Sequence, residues 1–382
     1  MRIPNDVVED EREAPIHGDI LEAVLSHVPL IHLVPASQVS NSWKHAVSTS
    51  LRHVNPVKPW LTLHTQSHHS PHVTNTFAYD PRSHAFLEIH APHPLHSSAL
   101  RSSHSSILYT LSPSELNFSI DPLHLTWHYA SSPRVWRTDP IVVRIGTLIV
   151  IAGGACAFED DLQAVEMYDI KLHGWVRCQS MPAILKSSKA STWLSVAVTG
   201  DTMHVTEKIS GVTCTFDCNT MMWQGPYDLR PDQSVFCCVT GTVRGSLMIV
   251  GLVGDAEHVK GVKLWEVKGK LGMRSELKCE ELGAMPKELV VKLVGNDGCG
   301  VVGSIGVNWI GNFLYVHNSM EPKEMVVCEI SNDGGCNWSS MKNVVANDET
   351  RMRRMVFCGG DVGVEDLQRA VAKNCRFVEK DM

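Results

Sequence analysis

The 382-residue sequence predicts a mainly β protein with a small helical domain at its N-terminus. Apolar residues follow a helical spacing only before about residue 52. After Trp60, short runs alternate apolar and polar residues, which is the period of two expected of strands. A third observation, a phrase that recurs at similar intervals, predicts how these strands are grouped.

Charge and composition exclude several classes of protein. The chain has 34 Lys and Arg against 41 Asp and Glu, a net charge of −7, which argues against a nucleic-acid partner. Residues 1–11 are acidic, are expected to be disordered and lack the apolar run of a signal peptide, so a cytoplasmic or nuclear location is predicted. No run of about twenty apolar residues predicts a membrane span or a membrane partner. The twelve cysteines, none spaced C-x-x-C, are expected to be small buried hydrophobes in a reducing compartment.

Three helices are predicted at about residues 12–56. The first ends at Pro29, a second covers residues 30–34 before Pro35, and a third covers residues 36–51. Their apolar positions, at helical steps, are Ile20, Leu21, Val24, Leu25 and Val28 in the first helix and Val39, Trp43, Val47 and Leu51 in the third. A core of this size is very small, so some of these side chains are expected to face a partner.

The repeated phrase is an apolar residue and an acid, with an aromatic residue six positions after the acid. Four copies are complete and two are degenerate: Asp80 with Phe86, Asp121 with Trp127, Asp169 with Trp175, Asp217 with Trp223, Glu266 without its aromatic, and Glu329 with Trp338 nine positions on. The acids are 41, 48, 48, 49 and 63 residues apart, close to the length of a propeller blade. A six-bladed β-propeller is therefore predicted over residues 57–382. Because the phrase recurs in every unit, its acids are predicted to bind turn amides and its aromatics to pack between blades, with no catalytic role.

The predicted ring needs a strand that closes it. The first unit begins abruptly at Trp60, whereas residues 354–361 resemble the inner-strand runs of the other units. Residues 355–358 are therefore expected to complete the first blade and remove an open edge. A short helix at residues 365–373 is expected to pack under the ring.

Residues 16–44 resemble an F-box, whose usual pattern reads L-P-x-D-x-L-x-x-I-L-x-x-L-P…L…V-C-K-x-W. The residues that keep the spacing of this pattern are Asp19, Leu21, Leu25, Pro29, Leu33, Val39 and Trp43. The chain departs from it at His17, where proline is usual, and at Ser40 and Asn41, where Cys-Lys is usual. Residues 60–358 are similar to kelch-repeat propellers, so the whole chain resembles plant F-box/kelch-repeat proteins.

This resemblance implies a substrate-recognition subunit of an SCF-type cullin E3 ubiquitin ligase. Such a subunit is not an enzyme, needs no cofactor, binds a Skp-type adaptor, and through it a cullin, with its F-box, and holds a protein substrate for ubiquitination on its propeller. The residues expected to divide between the helical core and the adaptor surface are Ile20, Leu21, Leu25, Val28, Pro29, Leu33, Val39 and Trp43. Trp43 is expected to be the main anchor, or alternatively to fill the small core.

Two other functions remain open from the sequence: an interaction scaffold that binds no adaptor, and an enzyme that uses the central channel of the ring. Residues 331–338 resemble the Asp-box of sialidase propellers, which predicts a hairpin turn rather than hydrolysis. Two histidine clusters are predicted to be solvated loop residues with no metal bound: His64, His68, His69 and His72 in one, and His84, His90, His93 and His96 in the other.

Overall fold

A computed structural model of the chain describes residues 18–67, 73–92, 98–185, 190–269, 277–295, 302–320, 323–345 and 353–380. The acidic segment at residues 1–11, His17 and the histidines at 68, 69, 72, 93 and 96 lie outside these residues. None of the helices in the described ranges is both long and apolar enough to cross a bilayer.

Three helices form the N-terminal head, which comprises residues 18–54: α1 (Gly18–Ser26), α2 (Leu30–Ala36) and α3 (Asn41–Thr49), the last continuing as a π-helical turn (Ser50–Val54). Two boundaries differ from the sequence prediction. Pro35 lies inside the last turn of α2, where its missing N–H costs a single i→i−4 hydrogen bond because the helix ends one residue later. The third helix begins at residue 41 because Ser40 is its N-cap, and the Ser40 hydroxyl accepts a hydrogen bond from the Trp43 backbone N–H (3.2 Å).

Six sheets in the described residues form the six blades of a propeller. Blade 1 contains β1 (Trp60–Ser67), β2 (Thr74–Asp80) and β3 (Ala85–His90), and blade 2 contains β4 (Leu108–Leu111), β5 (Glu115–Ser119) and β6 (His128–Ser131). Blade 3 contains β7 (Ile141–Ile145), β8 (Leu148–Ala152), β9 (Val165–Asp169) and β10 (Gly174–Arg177). Blade 4 contains β11 (Leu194–Thr199), β12 (Thr202–Glu207), β13 (Val212–Asp217) and β14 (Met222–Asp228), and follows the short helix α4 (Ala190–Trp193).

Blade 5 contains β15 (Val235–Val243), β16 (Ser246–Gly254), β17 (Val259–Lys268) and β18 (Lys278–Ala284), and is followed by α5 (Lys287–Val294). Blade 6 contains β19 (Ile305–Ile310), β20 (Phe313–Asn318), β21 (Glu324–Ile330) and β22 (Cys336–Lys342). The last elements are β23 (Arg353–Gly360), α6 (Val364–Ala372) and β24 (Arg376–Lys380). A mainly β, six-bladed propeller preceded by three helices confirms the predicted fold class.

The two ends of the propeller sequence meet in blade 1. Strand β23 pairs antiparallel with β1 from Trp60 opposite Gly360 to Ser67 opposite Arg353. Strand β24 then pairs with the outer strand β3, so blade 1 has five strands. Blade 2 has three strands, and its inner position is marked by one isolated bridge between Arg101 and Tyr109.

The repeated phrase has the expected structural role in blades 3 and 4. Asp217 accepts hydrogen bonds from the backbone N–H groups of Asn219 and Thr220 (both 2.8 Å), and the bond from Thr220 lowers the pKa of the Asp217 carboxyl. Asp169 accepts equivalent bonds in the turn of blade 3. The indole N–H of Trp223 donates to the Gln179 carbonyl (3.0 Å), so the aromatic residue fastens blade 4 to blade 3.

The acid and the aromatic residue of the phrase also have the expected roles in blade 1, as does the aromatic residue in blade 3. Asp80 accepts hydrogen bonds from the Arg82 backbone N–H and the Ser83 hydroxyl, and the Phe86 ring packs on Tyr79 with 5.0 Å between the centroids. The Trp175 indole donates across the blade boundary to the Ser131 carbonyl (3.0 Å).

In blade 2 the phrase differs from the prediction. Phe118 pairs with His128 and their rings stack at 5.2 Å, so His128 occupies the place expected for Trp127. The cause is a longer turn, in which Asp121 accepts from three backbone N–H groups, of residues 123, 125 and 126. Trp127 packs instead against a small cluster that contains Cys358.

Blades 5 and 6 also use their acids differently. Glu266 pairs with Lys268 (2.6 Å), and Glu329 pairs with Lys58, just before β1 (2.9 Å). The turn between β21 and β22 is made by the segment that resembles an Asp-box, in which the Asp333 carboxylate accepts from the Gly335 backbone N–H (3.3 Å). Trp338 pairs with Cys328 in the hairpin that follows.

The C-terminal helix packs against both the ring and the head. It packs against α2, and the Gln368 amide donates to the Ser37 hydroxyl (3.2 Å). The reason is its apolar stripe: Leu367 and Ala370 are buried in one cluster with Leu33 of the head and Leu87 of blade 1.

Candidate functional site

The structure divides the eight residues predicted for adaptor contact into three groups. Leu21, Leu25 and Leu33 are buried, Val28, Pro29 and Trp43 are half-buried, and Ile20 and Val39 are exposed. The buried leucines belong to a core that the head shares with blade 1 and α6. Only the exposed and half-buried side chains can contact another subunit while the head remains attached to the ring.

Three exposed apolar side chains define what we call the head surface: Ile20 (67% exposed), Val24 (51%) and Val39 (63%). Ile20 and Val24 are four residues apart on α1 and therefore share one face of that helix, whereas Leu21 and Leu25 share the buried face. Val24 was absent from the predicted contact residues although its helical phase relative to Ile20 could have identified it. Several exposed aliphatic side chains on one small domain are consistent with a protein interaction site.

Arg82 attaches the head to the ring, and no sequence pattern indicated it. It lies in the turn of blade 1 and is buried. Its guanidinium donates to the carbonyl groups of Val28 (2.5 Å), Ser26 (2.8 Å), Leu25 (3.1 Å) and Asn55 (3.0 Å). Burial lowers the pKa of Arg82, yet the group remains charged. One cation therefore bonds three carbonyls at the end of α1, of which that of Leu25 also accepts from the Val28 backbone N–H (3.2 Å).

Further contacts fix the orientation of the head. The Asn55 amide donates to the Ser26 carbonyl (3.0 Å), and Lys58 pairs with Glu329 of blade 6 while its ammonium lies 5.5 Å from the Phe313 ring centroid. Together with the shared apolar core, these contacts make the junction a packed interface and not a flexible linker.

A cavity of about 980 Å³ lies at the centre of the ring. Its wall consists of the inner strands β11, β15, β19 and β23, and of residues 102–105 in the inner position of blade 2. Just before this stretch Arg101 forms a backbone bridge with Tyr109, with N–H···O distances of 2.8 and 2.9 Å.

The charged groups of the cavity are mainly basic. Arg354 and Lys208 both line it, and the Lys208 ammonium donates to the Thr192 carbonyl (2.7 Å). Burial lowers the pKa of both groups, and it raises the pKa of the Cys237 thiol in the same wall to about 11. A thiol with that pKa is protonated at neutral pH and is a poor nucleophile. The wall is suited to binding polar or anionic groups, and Cys237 is not activated for covalent catalysis.

One group of side chains in the described residues has the types and spacing needed for a metal ion: His64, His124 and Cys358. Their ligand atoms all lie within 4.8 Å of one another, and all three residues are buried. This corrects the prediction for His64, which lies on β1 inside the blade and not in a solvated loop. His84 and His90 are exposed, as that prediction expected.

Two comparisons identify relatives of the chain. Residues 15–55 match the family model of the F-box domain. The chain is 42% identical over 378 residues to F-box/kelch-repeat protein At1g23390 of Arabidopsis thaliana, a match that covers 96% of this chain and 95% of that protein.

Solved structures give weaker likenesses. A putative 6-phosphogluconolactonase from Bacteroides fragilis aligns with 74% of this chain and 95% of its own at 12% identity and a TM-score of 0.40. A chain of the nidogen/laminin complex aligns with 78% of this chain and 98% of its own at 8% identity and a TM-score of 0.43. With TM-scores below 0.5, these likenesses carry no inference about function. The near-complete match to the Arabidopsis protein, the F-box at residues 15–55 and the six blades that follow it place the chain in the F-box/kelch-repeat family.

Proposed function

We propose that this chain is the substrate receptor of an SCF-type cullin ubiquitin ligase, a non-catalytic subunit that works in the cytoplasm or nucleus. On this proposal the head binds a Skp-type adaptor, and the ring holds a protein substrate whose lysine is to be modified. The observation that carries it is the head surface: Ile20, Val24 and Val39 remain exposed on an F-box whose other apolar residues are packed against the ring.

The packed junction supports a positioning role. A receptor accelerates ubiquitin transfer by keeping its substrate near the conjugating enzyme, which raises the local concentration of the acceptor lysine. A flexible connection would dilute this effect, whereas Arg82, Lys58 and the shared core hold the head in one orientation. The chain itself then needs no catalytic group.

Adaptor binding is tested with two variants of the head surface, Ile20→Asp and Val39→Asp, in the full-length chain. Each variant places a carboxylate in the proposed interface. It is expected to lower the affinity for a Skp-type adaptor by at least about tenfold, since hot-spot changes cost about 2 kcal/mol or more. Leu172→Asp is the matched control, because Leu172 is 80% exposed in the β9–β10 turn of blade 3, whereas the head packs on blade 1. Binding is measured by isothermal titration calorimetry with purified adaptor, and circular dichroism checks folding.

Trp43→Ala tests the half-buried anchor in the same assay, but it also removes packing from the head core, so its thermal unfolding is measured alongside. A wild-type chain that is folded and does not bind the adaptor would exclude the ligase role and favour a scaffold. Equal affinity for the wild type and both Asp variants would exclude the head surface as the contact.

A further inference from the structure

Three polar side chains from distant parts of the chain converge between blades 1 and 2. His64 is on β1, Cys358 is on the closing strand β23, and His124 is in the turn between β5 and β6. Their ligand nitrogen and sulfur atoms lie within 4.8 Å of one another, and the three residues are at most 2% exposed. The fold therefore brings together donors that are 60 to 294 positions apart in the sequence.

Strand register explains why two of them face the same way. In the β1–β23 ladder Thr62 is opposite Cys358 and His64 is opposite Val356, so all four side chains are on one face of blade 1. Cys358 and Val356 pack there against Leu100 and Leu108 at blade 2. This face is the one turned toward blade 2.

The third donor is held by an uncommon backbone conformation. His124 has φ of 55°, in the left-handed region, and its backbone N–H donates to the Asp121 carbonyl (3.0 Å). Its ring lies 5.6 Å from the His64 ring, edge to face. The left-handed conformation has a steric cost for a side chain as large as that of histidine, and the turn holds His124 in it.

The hydrogen bonding of the two imidazoles is incomplete. His64 Nδ1 shares a hydrogen bond with the Thr76 hydroxyl (3.0 Å), which fixes the ring and directs Nε2 toward the cluster. Among the described residues, His64 Nε2 and both ring nitrogens of His124 are buried with no hydrogen-bond partner, as is the Thr62 hydroxyl. Each such group costs about 1–3 kcal/mol unless something else satisfies it.

The donor set indicates which ion would satisfy these groups. Two neutral imidazoles and one thiolate are ligands that zinc prefers. A tetrahedral ion with Zn–N and Zn–S distances of about 2.0–2.3 Å needs ligand atoms about 3.5 Å apart, so small rotations of these side chains suffice. Thr62 offers a hydroxyl on the same face for a water in the fourth position.

We propose that His64, His124 and Cys358 bind a zinc ion that fastens the ring where its first and last strands meet. Such an ion joins β1 to β23 and both to blade 2, which has no full inner strand among the described residues. Its binding energy adds to the stability of the closed ring because the unfolded chain cannot preform the site. This role is independent of adaptor binding, so neither hypothesis depends on the other.

The test uses the full-length chain and the metal alone. We expect about one zinc per chain by mass spectrometry of the metal after zinc loading and gel filtration. Replacement by cobalt is expected to give visible bands of tetrahedral Co²⁺ and a near-ultraviolet thiolate charge-transfer band. Cys358→Ser is expected to lose the charge-transfer band, whereas the control Cys214→Ser is expected to keep it, since Cys214 is an equally buried thiol in blade 4.

His124→Gln provides a second variant in a turn, in case Cys358→Ser does not fold, and it is expected to lower zinc affinity at least tenfold. A chelator is expected to lower the midpoint of thermal unfolding of the wild type and of Cys214→Ser, and to leave that of His124→Gln unchanged. A folded wild-type chain that holds no zinc or cobalt after loading would overturn the proposal. So would a charge-transfer band that persists in Cys358→Ser, or zinc affinity unchanged in His124→Gln.

Discussion

The head and the ring satisfy their buried polar groups in opposite ways. In the ring, the buried ion pair between Arg137 and Glu166 (3.1 Å) is completed by groups of the same blade, including the carbonyls of Gly153 and Ala164 (both 2.8 Å from Arg137). In the head, the free carbonyls at the end of α1 are bonded by Arg82, which belongs to the ring. This ion pair is thus bonded within its own blade, whereas the end of α1 depends on a side chain of the ring.

The same difference holds for apolar side chains. Each blade buries its strand faces against its neighbours, as the clusters between blades 3 and 4 and between blades 5 and 6 show. The head buries one face against blade 1 and α6 and leaves Ile20, Val24 and Val39 exposed. A small domain whose core is completed by residues of a neighbouring domain can leave its other face exposed for a partner.

The largest expected effect tests the buried ion pair inside blade 3. Arg137→Ala leaves Glu166 as an uncompensated buried carboxylate and is expected to lower the free energy of unfolding by about 4 kcal/mol. Arg177→Ala is the control, because its pair with Asp161 (2.9 Å) is solvent-exposed and is expected to contribute about 0.5 kcal/mol. Urea denaturation followed by tryptophan fluorescence measures both. Equal losses in the two variants would contradict the comparison.

The second prediction concerns the apolar core that the head shares with blade 1 and α6. Leu25→Ala is expected to cost about 3 kcal/mol because it leaves a cavity in the cluster shared with blade 1. Val24→Ala, its neighbour on the exposed face of α1, is expected to change stability by less than about 0.5 kcal/mol. Denaturation of the full chain measures both, and a loss in Val24→Ala as large as that in Leu25→Ala would show that both faces of α1 are packed.

The third prediction tests the junction directly. Arg82→Ala removes the charged donor from the end of α1 and is expected to lower the protection of the head amides by about 2 kcal/mol in hydrogen exchange, while ring amides are unaffected. Arg82→Lys is expected to restore only part of it, because an ammonium lacks the planar fork that reaches several carbonyls. Arg369→Ala is the control, since Arg369 is exposed and pairs with Asp366 within α6. Unchanged hydrogen-exchange protection of the head amides in Arg82→Ala would show that the stability of the head does not depend on Arg82.

The smallest expected effect concerns the boundary between two ring blades. Trp223→Phe keeps an aromatic ring on Phe216 but removes the indole N–H that donates to the Gln179 carbonyl, so a loss of about 1 kcal/mol is expected. Trp193→Phe, at a residue 47% exposed in the cavity wall, is the control with little expected change. Thermal unfolding resolves the two, and a larger loss in Trp193→Phe would contradict the role given to the phrase aromatics.

Local features of the fold were predictable from the sequence. The turn acids Asp169 and Asp217 and the aromatics Trp175 and Trp223 act within a few residues of the phrase or on the adjacent blade, so their spacing alone indicates blades. Where a turn lengthens, as after Asp121, the same spacing selects the wrong aromatic, Trp127 in place of His128.

The contacts that join distant segments were not predictable in this way. Arg82 bonds backbone carbonyls, which carry no side-chain signal in the sequence. His64 looks like one of many histidines before residue 129 until the register of β1 against β23 places Cys358 on the same face. The exposed face of α1, by contrast, follows from helical phase, although the phase alone does not tell which face the ring covers.

The position of α6 has a consequence for synthesis. The head is synthesised before the ring, but the helix that covers Leu33 and the strand that closes blade 1 are synthesised only after blades 2 to 6. A chain stopped at residue 352 is therefore expected to expose its head to limited proteolysis, whereas the complete chain resists. Prematurely terminated chains are thus expected to be degraded through their exposed head. They would then not compete with complete chains for partners.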